Sequence, residues 1–158
     1  MNRTVFLDSD VILDVLCKRE PFYSFAAELF TLGDLGKVTL VTTSLVFANE
    51  FYILGKELGI EKGKELLRKL RIIVGVISVT EKTVDLALNS NFADFEDGLQ
   101  YFTARENNIQ ILITRNVKDY RGKELLVQTP EEYIRSQIIE WIIPSTPCKE
   151  VPLWTLPY

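Results

Sequence analysis

Short apolar runs alternate with amphipathic stretches of roughly 10–15 residues along most of the chain, a pattern typical of strands alternating with helices. Several amphipathic stretches follow a Ser, Thr or Asp that can accept hydrogen bonds from the first turn of a helix. We therefore predict strands at 4–7, 38–41, 72–79, 109–114 and 125–128. Predicted helices cover 10–18, 24–33, 45–58, 61–70, 81–89, 93–106 and a last segment from 130 through 141.

This order of elements predicts an α/β protein. Parallel strands joined by helices form a sheet that the helices cover on both faces, so we expect a three-layer α/β/α sandwich around a mostly parallel sheet of four or five strands. The 158 residues fit one domain, which we place at 1–143. Four prolines and several apolar side chains follow in a tail at 144–158. That tail is either a loose terminus or a segment that packs on its own domain or on a neighbour.

The composition removes several kinds of chemistry. The chain contains no histidine, which excludes Ser-His-Asp and Cys-His catalysis as well as histidine-ligated zinc. Any catalysis must therefore depend on carboxylates. The net charge of −4 argues against a protein that coats nucleic acid electrostatically. It does not argue against a nuclease, because a bound divalent cation reverses the local sign of an acidic site.

The overall composition is ordinary for a globular protein, with 47% hydrophobic and 25% charged residues. No apolar run approaches the ~18 residues needed to cross a bilayer, and the first residues carry no signal-peptide pattern. We therefore expect a cytoplasmic protein without membrane contact.

Polar and charged side chains, most of them acidic, repeatedly follow the predicted strands. Asp8 comes directly after strand 4–7, and Asp10 begins the next helix. The other members of this set lie in helices or loops that follow other strands: Asn49, Glu50, Asp94, Asp97, Arg115, Asn116, Lys118 and Asp119. Each group alone can be a helix cap, a favourable first-turn charge or an Asx turn. Together they indicate one site, since ligands of parallel α/β sheets bind at the carboxyl ends of the strands.

Three blocks of the sequence resemble the PIN domain family. Residues 5–14 (Val-Phe-Leu-Asp-Ser-Asp-Val-Ile-Leu-Asp) resemble its opening, an apolar strand followed by Asp-Thr-Asn-Val. Residues 94–100 and 113–120 match two later blocks in order and spacing, and residues 129–133 resemble the closing helix. The resemblance implies an endoribonuclease that uses Mg²⁺ or Mn²⁺ to hydrolyse single-stranded or structured RNA. Many bacterial members of the family are toxins of VapC-type toxin–antitoxin pairs.

The resemblance also implies roles for individual residues. Asp8 and Asp97 match metal-ligating acids, with Asp94 as a frequent companion. Asn116 and Asp119 match the polar pair that follows the later strand. A hard cation held by these carboxylates would activate water and neutralise phosphate charge without any histidine.

Two positions depart from the family pattern. Asp10 stands where Asn is usual. Asn49 aligns with a Glu that the family uses as its second acid, and Glu50 follows one residue later. Because one helical step turns a side chain by ~100°, we expect Glu50 to point away and Asn49 to act as a neutral ligand or a supporting group.

Partners follow from the same resemblance. It implies an RNA substrate, an antitoxin protein and a homodimer, with helices 24–33 and 61–70 as candidate contact faces. Arg115 and Lys118 are the candidate phosphate contacts, because they lie next to the proposed site.

Three alternatives remain open from the sequence alone. The first is a catalytically weakened PIN domain that binds RNA or protein, which Asn49 favours. The second is another doubly wound enzyme, such as an aspartyl-phosphate receiver or a haloacid-dehalogenase-type phosphatase, because residues 8–10 resemble an Asp-x-Asp motif. The third is a purely structural module whose acids only cap helices.

Overall fold

A five-stranded parallel sheet forms the centre of the protein. The computed structural model describes residues 3–120 and 124–142. The strands are β1 (Arg3–Leu7), β2 (Val38–Thr43), β3 (Val74–Ile77), β4 (Ile111–Ile113) and β5 (Leu126–Gln128). Their order is β3-β2-β1-β4-β5, and all four neighbouring pairs are parallel. The α/β/α class and the predicted parallel sheet are confirmed.

One or more helices lie between each pair of consecutive strands except β4 and β5. Between those two, the described residues form a 3₁₀ turn at Val117–Tyr120. The helices are α1 (Ser9–Leu16), α2 (Tyr23–Asp34), α3 (Ser44–Leu58), α4 (Ile60–Ile73), α5 (Glu81–Leu88), α6 (Phe95–Glu106) and α7 (Pro130–Ile142). Polar side chains cap several of them as the sequence predicts: the Thr43 hydroxyl accepts from Val46 N, and Thr80 forms a capping box with Thr83.

Both faces of the sheet are buried. On β1, Val5 and Leu7 pack into a core shared with α1, α2 and α7, whereas Phe6 points to the opposite face and packs against residues of α6. Alternate residues of one strand therefore contact different helical layers, as the two-residue repeat of a strand requires. This is why the strand reads as a continuous apolar run rather than an alternating one.

The order of the strands creates a topological switch point at β1. The chain moves from β1 outward to β2 and β3, then returns to the other side of β1 to form β4 and β5. Connections on the two sides leave a crevice between the carboxyl ends of β1 and β4, where ligands of open α/β sheets bind. Asp8 and Thr114 follow these two strands directly.

One predicted strand is much shorter than expected. Residues 72–79 were assigned to a strand on their β-branched content, but α4 continues to Ile73 and β3 covers only Val74–Ile77. Leu70 is buried, and Ile73 packs against the same core three residues later. This helical spacing of inward-facing side chains overrides the local preference for a strand.

Other boundaries differ by one or two residues. Helix α1 ends at Leu16 rather than 18, because Lys18 adopts a left-handed backbone conformation with φ of 50°. Among the described residues, no helix combines the length and hydropathy required to cross a membrane. The predicted tail at 144–158 lies outside the described residues.

Candidate metal centre

Asp8 occupies the centre of the crevice. Its backbone N–H donates to Ile113 O at 3.0 Å and so extends the pairing of β1 with β4. Its carboxylate is almost fully buried and caps α1 by accepting from Ser9 N at 2.6 Å. The other carboxylate oxygen accepts from Thr114 Oγ1 at 2.7 Å. Asp8 is thus both a helix cap and a carboxylate fixed at the strand ends. Its capping role is therefore compatible with a role in a site.

Glu50 points into the same crevice from α3. Val46, Glu50 and Leu54 are the buried residues of this helix, spaced four apart on one stripe. Glu50 Oε1 accepts from Ser9 Oγ at 2.5 Å, whereas Oε2 is buried without a hydrogen-bond partner in the described part of the chain. The pKa of Glu50 is raised to about 7, mainly by burial and to a smaller extent by the Glu96 and Asp8 charges, while the Ser9 hydrogen bond and Arg19 oppose the rise.

The expectation that Glu50 points away from the site is therefore wrong. The signal that reveals it is present in the sequence, because Glu50 lies one helical turn from Val46 and one turn from Leu54. Asn49 instead donates through Nδ2 to Glu96 Oε1 at 2.9 Å. It tethers the start of α6 to α3, a role that its place in the sequence did not indicate.

The start of α6 supplies the opposite wall of the site. Asp94 caps the helix by accepting from Glu96 N at 2.7 Å. Asp97, one turn later, accepts from the Tyr120 hydroxyl at 3.1 Å. The pKa of Asp97 is raised to about 6 by burial and then by the Asp8 charge, which is the largest of the neighbouring charges. The Asp8 and Asp97 carboxylates are thus close enough for the charge of one to act on the other.

The polar pair after β4 lies at the rim. The Asn116 amide donates to Asp119 Oδ2, and Asn116 N donates to Thr114 Oγ1 at 2.9 Å. Thr114 in turn donates to Asp8, so a short chain of hydrogen bonds runs from the rim to the central carboxylate. Asp119 is exposed but close enough for its charge to raise the pKa of Asp97. Lys118 is exposed in the same 3₁₀ turn.

Arg115 is held by carboxylates of α1. Its backbone N and its Nε donate to Asp10 Oδ2 at 3.1 and 3.3 Å, and Nε lies 3.4 Å from the fully buried Asp14. Its guanidinium carbon also lies 4.5 Å from the centre of the Phe22 ring. Arg115, expected to be a phosphate contact, is therefore already engaged by protein groups. Burial and the Asp8 charge still raise the pKa of Asp10 to about 7, against the effect of Arg115.

These side chains fit a hard divalent cation. Carboxylate and amide oxygens are the ligands that Mg²⁺ prefers, and Mg²⁺ commonly binds through one or two carboxylates while keeping several waters. Within residues 3–120 and 124–142, no three acidic side chains already converge on one point as a complete cage. Two carboxylates with waters remain compatible with the arrangement. Burial, and after it the charge of neighbouring carboxylates, raises the pKa values of Glu50, Glu96 and Asp97.

Comparison with known proteins identifies the family. A family model described as PIN domain matches residues 4–118. Ribonuclease VapC1 of Aquifex aeolicus (strain VF5) is 28% identical over 140 residues, which span 84% of this chain and 94% of that protein.

Solved structures agree in fold. The DNA-bound VapBC structure from Salmonella typhimurium superimposes with a TM-score of 0.63 at 14% identity, covering 82% of this chain and 99% of that one. VapBC2 from Rickettsia felis, bound to a fragment of its promoter, gives 0.62 at 18% identity, with 80% and 98% covered. With the family model matching well over half of its length, the chain belongs to the PIN domain family.

Proposed function

We propose that this protein is a divalent-metal-dependent endoribonuclease that hydrolyses phosphodiester bonds of single-stranded or structured RNA, and that it is the toxin of a toxin–antitoxin pair. Two observations from relatives support this: the matched relative is named a ribonuclease, and similar folds come from structures named VapBC or toxin–antitoxin complexes. The substrate, the metal and the partner are all part of the proposal.

The position of Glu50 carries the proposal. Its carboxylate lies buried beside Asp8, with one oxygen lacking a hydrogen-bond partner among the described residues. Burying an unpaired carboxylate is costly unless a cation or a proton compensates it. Glu50 therefore supplies the acid that the family pattern places at position 49. The alternative of a catalytically weakened domain is not favoured.

Asp8, Asp97 and Glu50 are the side chains that would hold Mg²⁺ or Mn²⁺, some of them directly and the others through bound water, with Asp94 close by. The bound ion would lower the pKa of a water molecule and neutralise charge that develops on the phosphate. Asp8 is kept in place by Thr114, and Asp97 by Tyr120. Each carboxylate is thereby oriented before any ligand arrives, which reduces the cost of reorganisation during the reaction.

The rim residues would act on water and RNA. Asn116 and Asp119 are bonded to each other and face the centre through Thr114, which suits them to orient a water molecule. Lys118 is exposed and is the better candidate for a direct phosphate contact. Arg115, held by Asp10, would contribute its charge from a fixed position.

The proposed partners follow from the relatives rather than from this chain alone. One similar structure is a toxin–antitoxin complex from Klebsiella pneumoniae, and two others are VapBC proteins bound to DNA. We propose an antitoxin protein for this chain on that basis, and a homodimer on the resemblance to the family alone.

Cleavage of RNA by carboxylate variants tests the function. We expect Asp8→Asn and Asp97→Asn each to reduce Mg²⁺- or Mn²⁺-dependent cleavage of a single-stranded RNA on the order of 100-fold or more, because each removes a charged ligand for the ion. Both changes keep the size of the side chain, so circular dichroism should report an intact fold. Asp85→Asn, at an exposed aspartate of α5, is the matched control and should retain activity. Undiminished cleavage by both site variants, or cleavage unaffected by a chelator, would contradict the proposal.

A further inference from the structure

A groove opens at the carboxyl edge of the sheet, with Arg115 in its wall. It is lined by Pro21, Phe22 and Phe25 around the start of α2, by Arg115 after β4, and by residues 129–131 at the start of α7. Its volume is about 360 Å³, at the lower end of the range of roughly 300–1,000 Å³ that small-molecule sites occupy. Apart from Arg115, none of its lining residues has a role in the proposed hydrolysis.

The walls of the groove present two aromatic rings and the Arg115 guanidinium, and the Arg135 guanidinium lies beside one of those rings. Phe22 is 43% exposed although it is a large apolar side chain. The Arg115 guanidinium lies 4.5 Å from the centre of the Phe22 ring, and Arg135 lies 5.6 Å from that of Phe25. Glu131, the acid at the rim, is paired with Arg135 at 2.8 Å. Aromatic rings beside a guanidinium plane favour a flat aromatic ligand that can stack on them.

Arg115 joins this groove to the metal centre. One side of its side chain lines the groove, while its Nε and backbone N bond to Asp10. The preceding residue, Thr114, bonds directly to Asp8. A ligand in the groove is thus separated from the central carboxylate by two adjacent residues of one loop.

We propose that the groove holds an unpaired base of the RNA substrate, close to the phosphate that is cleaved; this rests on the proposed function. A nucleotide combines a flat ring, which stacks on aromatic and arginine planes, with an anionic backbone that can reach the neighbouring centre. A paired base is stacked in its own helix and cannot enter. The groove therefore selects unpaired positions next to the scissile bond.

Kinetics with base-deleted RNA test this inference. The probe is a fluorescein-labelled single-stranded RNA, together with a series in which one nucleotide at a time is abasic. Phe22→Ala should raise KM for the intact RNA by roughly 5- to 150-fold, the range of one lost base stack, and Phe22→Trp should restore it. For wild-type protein, one abasic position beside the cleaved bond should raise KM similarly. In Phe22→Ala that same abasic change should have no further effect.

Tyr52→Ala is the matched control. Tyr52 is also an exposed aromatic with a cation 4.5 Å from its ring centre, Lys56, but it lies on α3 outside the groove. It should leave KM unchanged. Binding of the same RNA is measured in parallel by fluorescence anisotropy, with Ca²⁺ in place of Mg²⁺ so that affinity is read separately from cleavage.

The outcomes separate the inference from the proposed function. If wild-type protein cleaves RNA and Phe22→Ala changes neither KM nor affinity, the base site is wrong while the nuclease stands. The base site is also wrong if Phe22→Ala leaves RNA affinity unchanged but weakens the binding of an antitoxin peptide. That result would make the groove a protein-docking site. If wild-type protein binds RNA through Phe22 without cleaving it, the nuclease is wrong and the base site stands. If wild-type protein binds no RNA, both are wrong.

Discussion

Single hydroxyl groups hold the carboxylates of the candidate metal centre in place. Asp8 accepts from Thr114, Glu50 from Ser9 and Asp97 from Tyr120. A hydroxyl fixes the position of a carboxylate through one hydrogen bond but leaves its negative charge uncancelled. The site therefore keeps both its geometry and its attraction for a cation, which a lysine or an arginine in the same place would reduce.

Tyr120→Phe tests this view at one residue. The Tyr120 hydrogen bond lowers the pKa of Asp97, which burial and the Asp8 charge raise to about 6. Without the hydroxyl, the Asp97 pKa should rise further, so the ion is lost to protonation at a higher pH. We expect the acidic limb of the pH profile of kcat/KM to move upward by up to about one unit.

Tyr101→Phe provides the control for that experiment. Tyr101 is buried on α6, and its hydroxyl accepts from Glu124 N at 3.1 Å, outside the metal centre. Its pH profile should match that of the wild-type protein. An unchanged profile for Tyr120→Phe, or an equal shift in both variants, would show that the Tyr120 hydroxyl has no specific effect on Asp97.

At the residue scale, the sequence indicates which acidic residues are candidates for the site but not which way their side chains point. The positions of Asp8 and Asp97 are predictable because one directly follows a strand and the other lies in the first turn of a helix. Glu50 depends on the rotation of α3, which is set by packing of Val46 and Leu54 against the sheet. The contacts of Asn49 with Glu96 and of Asp97 with Tyr120 join segments 47 and 23 residues apart. No local pattern encodes such pairings.

Among the elements, α3 and α4 pack most closely at a pair of glycines. A Cβ built on Gly63 of α4 would lie 3.3 Å from Gly55 N of α3. The backbones of the two helices therefore touch, and only a residue without a side chain fits there without displacement. Since α3 carries both Glu50 and Asn49, this contact also bears on the alignment of the metal centre.

Gly63→Val should force the two helices apart. We expect it to lower the free energy of unfolding by about 1–3 kcal/mol, as overpacking typically does, measured by urea denaturation. Gly55→Ala is the matched control in the same helix pair, because no atom lies within 4 Å of a Cβ built there. It should raise stability by about 0.5–1 kcal/mol through helix propensity. Equal effects of the two substitutions would contradict the close contact at Gly63.

Element types were predicted more successfully than element ends. Apolar runs and capping residues identify every strand and helix, because both signals are local. The α4–β3 boundary was wrong because Ile72 and Ile73 have a high strand preference. In the fold Ile72 is 82% exposed, whereas Ile73 continues the inward stripe of α4. Which of two neighbouring isoleucines faces the core is decided by the packing of the whole helix.

At the scale of the whole molecule, the buried acids make stability depend on pH. Burial raises the pKa values of Asp10 and Glu50 to about 7 and that of Asp97 to about 6, above ordinary values of 3.8 and 4.5. The folded protein therefore holds protons that the unfolded chain has already released. The resulting stability is present below the ordinary pKa values and is lost as the pH rises through about 6–7.

The melting temperature of the metal-free protein should accordingly fall between about pH 5 and about pH 8, on the order of several degrees. Calorimetry in the presence of a chelator measures this. Glu50→Gln should reduce the slope, because it removes one of the groups that titrate. Exposed Glu65, whose pKa lies at about 2 because Lys69 and Lys62 bond to it, titrates below this range. A melting temperature that rises or stays constant over the same range would contradict the electrostatic description of the site.

Binding of Mn²⁺ measured by isothermal titration calorimetry tests the central claim most directly, because it needs neither RNA nor an antitoxin. Wild-type protein and the exposed-site control Asp85→Asn should bind the ion with the same affinity. Asp8→Asn and Glu50→Gln should each lower the affinity for Mn²⁺ by at least ~10-fold, because Asp8, which follows β1, and Glu50 of α3 are proposed to share one cation. Equal binding by all four proteins, or no binding by the wild type, would contradict a metal centre at the carboxyl ends of β1 and β4.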